Sequence, residues 1–134
     1  MINRLIEMHE KKLEELGADR VQEQARLRKE KERMENLVKL KDSMKQEKPE
    51  SALLLQNRAG IRGQIDNLIG MQEHEVAAAN ANLNHKSQAV MSQFGKVKAF
   101  QTVESKKAAL KTAREKRQEQ IQNDDWISQS LRRA

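Results

Sequence analysis

A single proline divides this chain of 134 residues. Pro49 lies between two segments, about 2–46 and 52–124, in which apolar side chains return every three or four positions. Proline lacks a backbone donor and pushes the residue before it, here Lys48, away from helical angles. A helix therefore stops at "KQEKPES", and Ser51 can cap a new one through its side-chain oxygen. Two long periodic segments joined by a short break, 47–51, read as a helical hairpin. The expected fold is all-α: two long helices in an antiparallel coiled coil, the second longer and overhanging. One such hairpin is expected over 1–134, with a frayed end at 125–134.

The seam can be followed residue by residue. From Ile2, alternating steps of four and three reach Ile6, His9, Leu13, Leu16, Arg20, Glu23, Leu27, Glu30, Met34, Leu37, Lys41 and Met44. That is a heptad pattern with a polar interruption at Arg20–Glu23. In the second segment the apolar positions read Leu54, Arg58, Ile61, Ile65, Leu68, Gln72, Val76, Ala79, Leu83, Ser87, Val90, Phe94 and Val97. Their period from Ile61 to Val97 is nearer 3.6 than 3.5, which implies little supercoiling there. Folding back at Pro49 pairs residue i with about 99 − i, so that Leu16 meets Leu83, Met34 meets Ile65 and Leu5 meets Phe94.

Composition narrows the function. The chain has no cysteine, which removes disulfides and thiolate metal sites. No apolar run approaches the roughly 18 residues of a membrane span, and "MINRLIEMHEKK" lacks the apolar core of a signal peptide. A cytosolic or peripheral protein is expected. His9, His74 and His85 do not share the spacing of a metal-binding helix. No phosphate loop or nucleophile turn is present, so neither a cofactor nor enzymatic activity is expected.

Charge is unevenly placed. Of the net +6, residues 96–134 supply +5, from ten basic and five acidic groups. Both phenylalanines, Phe94 and Phe100, stand where this basic third begins. The expectation is that they close the open end of the hairpin against Ile2, Leu5 and Ile6, and that "SKKAALKTAREKRQEQIQ" continues alone. Glu104, Glu115 and Glu119 interrupt the basic run, which reads first as a solvated helix face, next as a match for an acidic protein surface, and after these for nucleic acid or a membrane. The other unusual stretch is "AGIRGQIDNLIG", Ala59 to Gly70, nearly uncharged, with three glycines inside a helical pattern and Ile69 off the seam. Loose packing near the turn and a pliable docking patch are both open readings of it.

These features resemble the FliJ family of flagellar type III export. The likeness lies in a first helix of "KKLEELGADRVQEQARLRKEKERMENL" type, a break, and a longer second helix. Its most specific part is "AFQTVESKKAALKTAREKRQEQIQNDDW". The sequence departs from the family where tryptophans are common along the second helix; here Phe100 and Val90 hold such places. At the gate-docking stripe, Ile61 and Gln72 stand where the family has an aromatic and a histidine. The YscO-type stalk proteins of injectisomes share the same outline.

The resemblance implies a stalk-like, membrane-associated coiled coil in the cytoplasm that links the export ATPase ring to the membrane export gate. It implies promotion of ATPase activity and handling of export chaperones and their substrates. Gate docking would fall on Ile61, Ile65, Leu68, Ile69 and Gln72. The ATPase-contacting tip would comprise Ile2, Leu5, Phe94, Phe100, Gln101, Lys106, Lys107, Lys111, Arg114 and Arg117. A monomer is expected when the protein is free, and no nucleic-acid partner. The rival from another class is a self-associating coiled-coil adaptor.

Overall fold

A computed structural model of the chain describes residues 2–45 and 51–133. It is an all-α helical hairpin of two long helices, α1 (Ile2–Met44) and α2 (Ala52–Arg133), the second nearly twice the length of the first. The proline break at 47–50 lies outside the described residues. Its far side is described: Ser51 caps α2, its hydroxyl accepting from the Leu54 N–H at 3.2 Å while its carbonyl accepts from the Leu55 N–H at 3.0 Å. The hydroxyl thus takes up one of the N–H groups that a helix start leaves without a partner. At the far end the described part of α2 is helical as far as Arg133. With no proline after Ala52, nothing forces the helix to stop earlier.

Contacts divide the chain into two compact units, Met1–Lys12 with Gln93–Ala134, and Leu13–Ser92. Within each, the helices run antiparallel. In the Leu13–Ser92 unit, Lys41 pairs with Asp66 at 2.6 Å, Arg26 with Glu75 at 3.8 Å and Asp19 with Lys86 at 3.8 Å. In the other unit, His9 pairs with Gln93, and the Asn3 amide, turned so that its nitrogen faces α2, donates to the Glu104 carboxylate. As numbers fall along α1 they rise along α2.

The stripe on α1 follows the heptad reading throughout. All thirteen positions from Ile2 to Met44 are buried or half-buried, including the polar His9, Arg20, Glu23, Glu30 and Lys41. The stripe on α2 differs from expectation. It runs Ile65, Ile69, Gln72, Val76, Ala79, Leu83, Lys86, Val90, Gln93, Val97, Phe100 and Glu104, again in alternating steps of four and three. The repeat is therefore 3.5, not 3.6. Leu68 and Phe94, expected in the seam, are 49% and 51% exposed, and Ile69 and Gln93 take their places. A contact line between two helices follows the partner, with a period of 3.5, whereas the most apolar neighbours in the sequence can drift by one position from it.

The register also differs. Residues 41, 30, 26 and 19 should have faced about 58, 69, 73 and 80. They face Asp66, Gln72, Glu75 and Lys86, each further along α2. The slack lies at the start of α2, where every residue from Ala52 to Gln64 except Arg58 is exposed. Burial is thin, as expected for a two-helix seam. The buried apolar residues are Ile6, Leu27, Ile65, Ala79 and Val97. Ala79, in the alanine-rich stretch, has no exposed surface.

Candidate functional site

Two polar contacts cross the seam in the same manner. Gln72 Nε2 donates to the Glu30 backbone carbonyl at 2.9 Å and to the Glu30 carboxylate at 2.5 Å. Gln93 Nε2 donates to the His9 backbone carbonyl at 3.0 Å and meets His9 Nδ1 at 2.9 Å. The carbonyl contact makes the Gln93 nitrogen the donor, so Nδ1 accepts and the neutral ring carries its proton on Nε2. Glu30 and Gln93 are the two buried polar residues among those described. Glu30 is further satisfied by Arg33 Nη1 at 3.2 Å. A buried carboxylate is tolerable only with such partners. Elsewhere in the seam, Arg20 Nε and Glu23 Oε2 are buried without a hydrogen-bond partner, so the polar interruption there is less well compensated.

The phenylalanines part company. Phe100 is in the seam, stacked on His9 with ring centroids 4.8 Å apart and planes 21° from parallel. Phe94 faces outward, with the Lys98 ammonium 5.4 Å from its ring centroid. Leu5, its expected partner, is also exposed. The aromatic closure of this end is thus made by Phe100 and His9, and Gln101 adds a hydrogen bond to Glu10 at 3.1 Å.

All ten residues of the expected tip lie within the unit Met1–Lys12 with Gln93–Ala134. Ile2, Phe100 and Gln101 are half-buried in the hairpin; Leu5, Phe94, Lys106, Lys107, Lys111, Arg114 and Arg117 are exposed. Every described residue beyond Glu104, 105–133, is exposed, with Leu110, Ile121, Trp126, Ile127 and Leu131 among them. On a helical projection Lys106, Lys107, Leu110, Arg114, Arg117 and Ile121 share one face, and Glu115 and Glu119 lie opposite.

The expected docking patch lies in the other unit and is only partly available. Ile61 and Leu68 are about half exposed, whereas Ile65 is buried and Ile69 and Gln72 face α1. Leu53, Leu54 and Leu55 extend the exposed apolar surface toward the start of α2. A groove of about 330 Å³ lined by Arg33, Asn36, Leu37, Leu40 and Gln72 lies in this unit too. A Cβ added at Gly60, Gly63 or Gly70 would meet nothing within 4 Å, so no packing inside the chain requires these glycines. Among the described residues no cluster of side chains suits a metal ion, and no helix is long and apolar enough to cross a membrane.

Gln93 escaped the sequence reading. The signal was present: continuing the four-three steps from Val76 through Val90 arrives at 93, but Phe94 beside it is more apolar.

A two-helix heptad hairpin with a long exposed basic arm defines a class of coiled-coil protein. The family model for the flagellar FliJ protein matches residues 1–134, and the chain belongs to that family, a family of flagellar export components. Neither the curated proteins nor the solved structures contain a match to it.

Proposed function

We propose that this protein is the cytoplasmic coiled-coil element that links the export ATPase ring to the membrane export gate and raises ATPase activity. The observation that carries this reading is the exposed arm, residues 105–133, following a hairpin end closed by Phe100 and His9. A helix that presents lysine and arginine on one face with leucine and isoleucine among them suits an acidic surface bearing apolar hollows. Complementary charge favours encounter and orientation there. Leu5, Phe94, Lys106, Lys107, Lys111, Arg114 and Arg117 would make this contact, with Ile2, Phe100 and Gln101 holding the tip together. A chain ending at Glu104 should retain its hairpin helicity and lose stimulation of the ATPase. Undiminished stimulation would overturn the assignment.

The gate contact belongs to the low-charge start of α2. Ile61 and Leu68 are its accessible members; Ile65, Ile69 and Gln72 support it from the α1 side. Ile61→Ala with Leu68→Ala should weaken gate binding at least about tenfold, the effect of removing two apolar contacts worth about 1.4 kcal/mol or more together. Helicity by circular dichroism should not change. Chaperone and substrate handling would use the same exposed surfaces, and a pull-down with export chaperones tests it.

A further inference from the structure

The two glutamine contacts share more than their geometry. Glu30 lies 21 residues beyond His9 on α1, and Gln93 lies 21 residues beyond Gln72 on α2, three heptads in each case. Each glutamine occupies a seam position, and each uses one nitrogen to grip both the backbone carbonyl and the side chain of its α1 partner. We propose that Gln72 and Gln93 are register locks, one in each compact unit, that select a single heptad alignment of α2 against α1 and thereby set how much of α2 is left unpaired as the arm.

A lock is needed because a heptad seam is nearly indifferent to a slip of seven residues. Apolar layers again meet apolar layers, and charged flanks again meet charged flanks. The exposed first turns of α2, Ala52 to Gln64, supply enough unpaired helix for such a slip. Slipping carries a glutamine nitrogen away from both acceptors and leaves Glu30 or His9 facing a different layer. A buried polar group without its partner disfavours the slipped state. A polar residue at one seam position is the best-attested device for fixing coiled-coil register, and it does so at some cost in stability.

The chain has no cysteine, so register can be read by cross-linking. In the Leu13–Ser92 unit, Lys41→Cys with Asp66→Cys reports the native alignment, and Lys41→Cys with Ala59→Cys reports the slipped one. In the other unit, Glu10→Cys with Gln101→Cys and Glu10→Cys with Phe94→Cys serve the same purpose. A short bis-maleimide is the probe, applied to the full chain. With both glutamines present, native pairs should cross-link at least about tenfold more than slipped pairs, the discrimination expected from two hydrogen bonds. Gln72→Met and Gln93→Met keep length and volume while removing the donor. Combined in one chain, they should bring the ratio in both units toward one, with helicity preserved. Gln72→Leu and Gln93→Leu, tested alongside, should behave likewise.

Native cross-links alone in all of these variants would overturn the proposal. So would a drop in melting temperature with register intact, because the glutamines would then be ordinary stabilising contacts. Loss of helicity in both the Met and the Leu variants would overturn it as well, because the pairs would be needed for folding and not for choosing an alignment.

Discussion

At the scale of single residues, apolar side chains one turn apart have opposite roles. Ile65 is 4% exposed and Ile61 49% exposed, although both are isoleucines in one low-charge stretch. Ile65→Ala should therefore cost about 2–5 kcal/mol in urea denaturation, less where the thin seam can collapse. Ile61→Ala should cost under about 1 kcal/mol, since its side chain is already half in water. Comparable losses for the two would show that the seam runs elsewhere. Hydropathy could not separate Leu68 from Ile69, both being large and apolar. It preferred Phe94 to Gln93 for the same reason. The choice depends on where α1 lies. On α1 the reading of single positions succeeded even for Arg20, Glu23 and Glu30, because unbroken four-three steps carried the stripe across polar residues.

At the scale of elements, the helices themselves were legible. Ser51 was readable as a cap from its place after Pro49, and its hydroxyl does accept from the Leu54 N–H. The start of α2 is the weak element. Gly60 and Gly63 lie in exposed helix with open space where a Cβ would stand, and each lowers helix stability by about 1 kcal/mol relative to alanine. Gly60→Ala and Gly63→Ala should each raise the unfolding free energy by about that amount, measured by chemical denaturation. Under the proposed docking role the same changes should weaken gate binding, because an added methyl keeps a partner backbone away. A stabilised chain with unaltered gate affinity would assign the glycines to loose packing.

At the scale of the whole molecule, one chain supplies both sides of its own seam. Sedimentation of the free protein should accordingly give the mass of one chain across a wide concentration range, and a stable dimer would favour the self-associating adaptor. By itself the sequence determined that there are two helices, one ending before Pro49 and one beginning after it, which face of α1 is buried, and that the excess positive charge gathers on the last third of the chain. These follow from local rules: backbone chemistry at Pro49, side-chain periodicity and the arithmetic of charge. Only the tertiary structure decided which α2 residues meet which α1 residues, that Phe100 and not Phe94 closes the end, and that Gln72 and Gln93 grip Glu30 and His9. A seven-residue repeat fits itself at more than one alignment, and the polar contacts that distinguish those alignments join residues far apart in the chain, where no local pattern can reveal them.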